Sequence, residues 1–388
     1  MKKIAIIGGG TRAIYIADAC KRLGVQSHCF SLRQGLGDVI YHVDYFHEND
    51  IFDVERLILE CKELNIDGVC ATTEMTLIST AKIAEALHLN CNSVQTAKEI
   101  TNKYINRKKT SRTKFLLSPK FAEVSSIEEL LSLDLKYPII LKPEALVGGK
   151  KGVIVVKEKG ELFEAFEFTH NNLKMNLNGK VLVEEFIQGG QEYSVESLSY
   201  NRQHYIIQVT KKDSDQGAHC AELGHHQPAS LSPALRTKVD VAIRDGLDAI
   251  GMEFGPCHSE IKIINEDIYL IEFNARPGGD HISWPLVELS TGYPYIEGVV
   301  KIALDEFVPI DVSKLKKRYS GIYYVTEQTK YLKPIFDICE HFPWCWERHF
   351  VSDHLGELTH NDLEHTNYFI YSSDDGNPVP ALIDKLNR

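Results

Sequence analysis

The first ninety residues alternate short apolar runs with helical patterns, and this alternation constrains the fold more than any other feature of the chain. Ile4 to Ile7 is an apolar run ending at Gly8-Gly9-Gly10, and the residues from there through Leu23 carry a helical pattern closed by Gly24. A strand at Ser27 to Ser31, a helix from Val54 to Leu64, a strand at Asp67 to Ala71 and a helix from Met75 to Leu87 follow. Alternating strand and helix imply a parallel sheet covered on both faces, and this unit ends near Asn92.

The texture then changes. Thr96 to Phe115 reads as helical and basic, with Lys103, Arg107, Lys108, Lys109, Arg112 and Lys114 close together, until Pro119 interrupts it. Beyond lie β-rich segments at Pro138 to Leu141, Val153 to Val156, Val181 to Ile187, Tyr193 to Ser199 and Tyr205 to Val209. A helix from Leu235 to Ile250 precedes a hairpin made from Cys257 to Ile264 and Ile268 to Ala275. After about Phe307 the pattern is poor. With 388 residues the chain exceeds one ordinary core, so the expectation is an α/β unit over 1–95, an α+β region over 96–306 and a C-terminal region over 307–388 that completes the fold.

Charge and cysteine usage narrow the function class. Lys plus Arg total 43 against 54 Asp plus Glu, a net charge of −11 that argues against a nucleic-acid-binding surface. Nine scattered cysteines without a Cys-x-x-Cys pair suit a reducing compartment, so the expected location is the cytoplasm. Met1-Lys2-Lys3 leads into too short an apolar run for a signal peptide, and no stretch reaches membrane-spanning length, so no membrane partner is expected.

Gly8, Gly10 and Ala13 satisfy a G-x-G-x-x-A pattern after a strand, as a dinucleotide-binding fold would require. A nicotinamide enzyme should then carry an acidic residue at the end of the second strand, but that strand ends Cys29-Phe30-Ser31. A tight turn for helix packing or anion contact is therefore preferred over a nicotinamide-dependent oxidoreductase.

A second glycine cluster lies between two strands. The strand Tyr137 to Pro143 contains Lys142 near its end, and Glu144 to Gly152 then leads into another strand rather than into the helix of a P-loop. Gly148, Gly149 and Gly152 let the backbone approach phosphate oxygens, and Lys142 adds a fixed charge. The competing reading is a solvated hairpin tip. Further on, Val181 to Ile187 is an apolar strand turning acidic, with Glu192 just after Gly189-Gly190. The backbone at Glu185, Phe186 and Ile187 offers an edge for an adenine, and Glu192 a carboxylate for ribose hydroxyls; either glutamate equally fits a solvated face.

In the hairpin, Glu260 lies on one strand, and Glu272, Asn274 and Arg276 lie at or beyond the end of the other. A three-residue loop at Asn265, Glu266 and Asp267 pairs Ile264 with Ile268 and places Glu260 opposite Glu272, on the face of Ile268 and Leu270. Opposed carboxylates destabilise a sheet unless something neutralises them, and hard oxygen ligands near a phosphate are what magnesium requires. The alternative is a solvated pair.

Lys103, the Lys142 strand, the glycine loop, the Glu-Glu-Phe-Ile segment with Glu192, and Glu260 with Glu272-Phe273-Asn274-Ala275-Arg276 together resemble the ATP-grasp superfamily over residues 1 to 300. The stretch Cys257 to Lys262 followed by Glu272 to Asp280 resembles the carboxylate-amine ligase branch that contains the L-amino-acid ligases. The resemblance implies an N-terminal pre-ATP-grasp domain, a lid at about 115–184 and a metal-bearing sheet at about 185–306, with ATP between lid and sheet. It further implies that Lys103, Lys142, Gly148 and Gly149 contact phosphates, that Glu185, Phe186 and Ile187 hold adenine, and that Glu192 binds ribose. By the same resemblance Glu260, Glu272 and Asn274 bind Mg2+, with Mn2+ as the alternative ion, and Arg276 stabilises the transferred phosphoryl group. His225 would sit near the acceptor, or else in a surface loop.

The activity so implied is activation of a carboxylate, an amino acid first, as an acyl phosphate that is then joined to an amine. Transfer to the phosphopantetheine thiol of an acyl carrier protein is the alternative, and a bicarbonate-using carboxylase or a nucleotide-binding module without catalysis the remoter ones. Small carboxylate and amine substrates are the expected partners, and a homodimer is the assembly common among such enzymes.

Overall fold

The structure, a computed structural model, describes residues 1–34, 36–144, 152–173, 179–215, 221–358 and 365–386. Its strands form three sheets. The first is parallel and runs Tyr45–Glu48, Gln26–Ser31, Lys3–Ile7, Gly68–Ala71. Ile4 to Ile7 is buried on both faces, which is why that strand reads as an unbroken apolar run. The outer strand Tyr45–Glu48 is half exposed and mixed in character, and no sequence pattern announced it. At Gly8 the backbone takes φ +96, and a Cβ there would come 2.5 Å from the Thr72 hydroxyl. The glycine turn is thus a packing device, and it launches the helix Thr11–Leu23 with Arg12 in its first turn.

A second, antiparallel sheet is ordered Phe121–Val124, Val181–Glu185, Ile139–Pro143, Ile154–Val156. Leu141, Val156 and Val183 pack under the helix Leu162–Asn171 through Leu162 and Phe166. Ile139 pairs with Val156, so the two strands flanking the second glycine cluster do form a hairpin; Gly148 and Gly149 themselves lie outside the described residues.

The third sheet has nine strands, ordered Cys345–His349, Asn367–Ser373, Tyr319–Val325, Glu222–Gln227, Gln203–Ser214, Gln191–Tyr200, Gly255–Ile264, Asp267–Asn274, Leu116–Leu117. Three of these strands come from residues after 307, so the poorly patterned end of the chain extends the same sheet. Val195, Val209, Ile261, Leu270 and Phe273 pack one face against the helix Pro233–Ile250. The helix Tyr295–Ala303 joins the core of the parallel sheet through Ile296, Val299 and Val300, packing against the helix Thr11–Leu23. Among the described residues, no helix is long and apolar enough to cross a membrane, and the cysteines are free.

Two local expectations are corrected. The basic helix is broken: Val94–Ile100 and Lys103–Thr110 are separate, because the Asn102 side chain accepts from the Ile105 amide at 2.8 Å and starts a new helix at Lys103. In the hairpin the loop has two residues, not three. Asn265 and Glu266 both have positive φ, and Ile264 pairs with Asp267, Ile263 with Ile268 and Ile261 with Leu270. A bulge then inserts Ile271 opposite the Glu260–Ile261 step, which restores Glu260 opposite Glu272. The bulge also reverses the alternation. Ile268, Leu270 and Phe273 enter the core, whereas Glu272 sits on the opposite face with Glu260, and not on the face of Leu270 as expected.

Candidate active site

Alternation along three neighbouring strands builds one polar face. Glu192, Ser194 and Glu196 stand opposite Lys262, Glu260 and His258 on one side and Lys212, Thr210 and Gln208 on the other. The intervening Val195 and Val209 point to the core, so the charges share a face by periodicity alone.

Glu260 is the centre of this face. Its Oε1 accepts from Lys212 Nζ at 2.8 Å and lies 3.2 Å from His258 Nε2. Burial would raise the Glu260 pKa, but Lys212 and His258 together hold it well below the usual carboxylate range. Lys212 also bonds Glu222 at 2.8 Å; although burial opposes its charge, those two glutamates keep its pKa well above normal. His258 reaches Glu196 through Nδ1, and despite burial that carboxylate lifts the imidazole pKa to about 9. Across the hairpin, Glu272 lies 3.4 Å from Lys103 Nζ and accepts from the Asn274 amide at 2.9 Å. The repulsion expected of opposed carboxylates is therefore absorbed by two lysines and a histidinium.

The four-stranded sheet is anchored to this face by a buried carboxylate. Glu184 bonds Lys142 Nζ at 2.6 Å and Arg107 Nε, and the Arg107 guanidinium donates onward to the Leu270 carbonyl of the hairpin. Lys142 is thus coupled, through Glu184 and Arg107, to the hairpin that carries the metal-ligand candidates. Next to Glu184 the chain turns. The Glu185 and Phe186 amides donate to the Lys120 and Pro138 carbonyls at 2.9 and 3.0 Å, and the Ile187 carbonyl accepts from Lys262 at 3.0 Å. Lys262 also lies 3.8 Å from Glu192 and 5.6 Å from the centre of the Phe186 ring. These groups border a cleft of about 400 Å³ between the four-stranded antiparallel sheet and the nine-stranded sheet, with Val155, Phe186, Glu192, Lys212, Lys262 and Tyr331 in its walls. Glu185 points elsewhere, to Lys120 at 3.8 Å.

Beyond Asn274 the chain meets the first sheet. Arg276 is buried and bonds Glu74 through Nε at 2.7 Å. Burial opposes both charges, yet their pairing holds Glu74 down at about 2 and raises Arg276 above its usual value. Arg12 lies close by: a Cβ on Gly279 would come 2.7 Å from its Nη2, and burial with the Arg276 charge lowers it to about 10. His225 proves to be fully buried on the strand Glu222–Gln227, opposite Lys212, which removes the surface-loop alternative.

Lys103, Lys142, Glu192, His225, Glu260, Glu272 and Asn274 are therefore joined by one network of contacts and one face, Arg276 lies just beyond Asn274 and is held by Glu74, and Glu185 stands apart. Sequence reasoning assigned no role to Arg12, Glu74, Lys212, Glu222 and Asp280. Only Arg12 carried a signal, its place two residues past the glycine turn.

Residues 135–284 match the ATP-grasp domain family. Among solved structures, the chain is similar over its full length to an L-amino acid ligase from Bacillus licheniformis, at 23% identity, 97% coverage of that chain and a TM-score of 0.82. It is also similar over its full length to N5-carboxyaminoimidazole ribonucleotide synthetase in an ADP complex, at 15% identity, 96% coverage and a TM-score of 0.77. The biotin carboxylase domain of the Hydrogenobacter thermophilus 2-oxoglutarate carboxylase, solved with MgADP, ADP and bicarbonate, shows 17% identity with a TM-score of 0.73, covering 96% of this chain and 86% of that one. The fold is ATP-grasp, with a parallel-sheet domain and a large mixed sheet.

Proposed function

We propose that this ATP-grasp chain is an ATP- and magnesium-dependent ligase that activates an amino-acid carboxylate as an acyl phosphate and joins it to an amine. One observation carries the reading: Glu260 and Glu272 face each other on the polar side of the sheet, compensated by Lys212, His258 and Lys103, and Lys212, which bonds Glu260, lines the cleft. Two carboxylates and the Asn274 amide oxygen form a hard donor set that fits Mg2+. Bound there, the ion supplies charge neutralisation at the nucleotide phosphates.

Lys103 and Lys142 add positive charge beside the same phosphates, and Glu192 with the Phe186–Ile187 segment holds the nucleoside. Arg276 stabilises the phosphoryl group in transfer, with Glu74 fixing its guanidinium in place beforehand. The substrate carboxylate oxygen attacks the γ-phosphorus and ADP leaves. The amine then attacks the acyl carbon, phosphate departs with its bridging oxygen, and the amine loses a proton. The antiparallel sheet that carries Lys142 covers the cleft, so that water does not consume the acyl phosphate.

A phosphate-release screen of the twenty amino acids, alone and in pairs, with bicarbonate included, tests this reading. Release stimulated by an amino acid, with a small amide product, supports it. Addition of the amino acid's mass to a carrier protein instead would identify a thiol acceptor. Thermal stabilisation by nicotinamide nucleotides but not by ATP with magnesium would sink the reading altogether.

A further inference from the structure

Glu144 directly follows the strand Ile139–Pro143, two residues after Lys142, and it is buried. Its backbone carbonyl accepts from the Lys103 amide at 2.8 Å, and its Oε1 accepts from the Asn102 side-chain amide. Asn102 in turn caps the helix Lys103–Thr110, its Oδ1 lying 2.8 Å from the Ile105 amide. The first turn of that helix, and with it Lys103, is therefore pinned to the strand that carries Lys142. A second tie joins the same two elements through Arg107, Glu184 and Lys142, and it is made of full charges.

The tie at Glu144 is of another kind. Its Oε2 is buried and has no donor group among the described residues. What it meets is the Glu123 carboxyl of the strand Phe121–Val124. The other charged group that faces it among the described residues is Lys180, just before the strand Val181–Glu185. Lys180 bonds Glu123, and its carbonyl accepts from the Glu144 amide at 3.2 Å. From the helix side Tyr104 lies near Lys180, while the Lys103 ammonium group goes to Glu272 at 3.4 Å. Two carboxyls against one lysine leave a negative charge uncompensated, and two acceptors in contact need a proton between them.

We propose that Glu144 is a positioning residue that sets Lys103 for the nucleotide phosphates, and that it does so as a neutral acid sharing one proton with Glu123. This rests on the ligase reading and deepens it. Burial, and after it the Glu123 carboxyl, push the Glu144 pKa up to about 7, against the opposing bond from Asn102. Below that value the proton stays between the two carboxyls and the tie is closed. Above it the proton passes to solvent, the two like charges separate, and Asn102, bonded to Glu144, shifts the start of the helix that carries Lys103. The contact with phosphate then weakens, while the charged tie through Glu184 still holds helix and strand together.

The test is an equilibrium titration of the full chain with ATP at saturating magnesium, from about pH 6 to about pH 8.5, either side of that value. Wild type should lose affinity by about fivefold to tenfold across the span, the size of one hydrogen bond. Glu144→Gln keeps an acceptor for Asn102 and gives Glu123 a permanent N–H donor, so it should hold the acid-side affinity over the whole range. Glu123→Gln supplies the donor from the other side and should flatten the profile as well. A residue that served packing alone would not regain affinity at high pH through either exchange. Melting temperatures are followed in parallel; if Glu144→Gln melts well below wild type, the profile of Glu123→Gln decides. A flat wild-type profile, or an alkaline loss that persists in either folded variant, overturns the proposal and leaves the ligase standing. No binding of ATP at any pH overturns both.

Discussion

Two acidic clusters lie one strand system apart, and they differ in what they leave open. Glu184 has side-chain exposure of 2% and is closed on both oxygens by Lys142 and Arg107. Glu260 and Glu272 are 19% and 24% exposed, and each keeps a cationic neighbour on the polar face of the sheet. Sequence would rank Glu184 beside Glu185 as part of one acidic turn. The two differ as a strut differs from a candidate site: a carboxylate whose acceptors are all taken by buried cations holds elements together, whereas a partly exposed pair on a polar face can exchange a lysine contact for a metal ion. Variants in the two clusters should therefore fail in different currencies.

The largest expected effect belongs to the strut. Glu184→Gln would leave Arg107 and Lys142 buried without a counter-charge, at a cost of about 3–5 kcal/mol in a urea melt. The pH dependence has a definite sign. Burial alone would raise the Glu184 pKa, but Arg107 and then Lys142 bring it to about 2. A depressed carboxyl contributes stability that is present above its unfolded value, near 4.3, and is lost as pH falls from there through about 2. Wild type should thus lose stability across that window more steeply than Glu184→Gln. Parallel slopes would remove the distinction between strut and site.

Next comes the transfer step. Arg276→Ala should lower kcat by about 10² to 10³-fold, the scale of one positioned charge at a developing anion. ATP affinity, read by equilibrium titration, should stay within about threefold, since the nucleoside-side groups lie on other strands. Unchanged product formation would remove Arg276 from the mechanism. At the metal pair, Glu272→Gln should raise the magnesium concentration for half-maximal activity by about tenfold, with little loss of fold stability. A large drop in melting temperature instead would make Glu272 a second strut.

How much of this was readable in advance depended on where each partner came from. The parallel sheet was legible because Ile4 to Ile7 and Gly68–Ala71 are buried and lie in a regular alternation with helices. Glu222–Gln227 was not: Glu-Leu-Gly-His-His-Gln lacks an apolar pattern, because it runs through the polar interior of the sheet. The strands after 307 were missed because their partners lie far away in sequence; Tyr319–Val325, for instance, pairs with Glu222–Gln227. The opposition of Glu260 and Glu272 was foreseen by a route that two features, a shorter turn and a bulge, replaced in compensating ways. Lys212 and Arg12 illustrate what periodicity does not carry. Each acts on a residue far along the chain, Lys212 on Glu260 and Arg12 on Asp280, and nothing in the local pattern names those partners.

The smallest effect tests the far end of the cleft. Lys262 lies within 3.8 Å of Glu192, donates to the Ile187 carbonyl and stands over the Phe186 ring, so it fixes three of the groups assigned to the nucleoside. Glu192→Gln removes one partly exposed charge from this set and leaves the carbonyl and ring contacts in place. Its expected cost is a rise in KM for ATP of roughly three- to tenfold with kcat nearly unchanged, the size of one hydrogen bond to a bound hydroxyl. An equal loss in kcat would mean that Glu192 acts on the phosphate end through Lys212, whose pKa its charge helps to raise. The nucleoside end and the metal end would then be one electrostatic unit, and only Glu184 would remain as a cluster of a different kind.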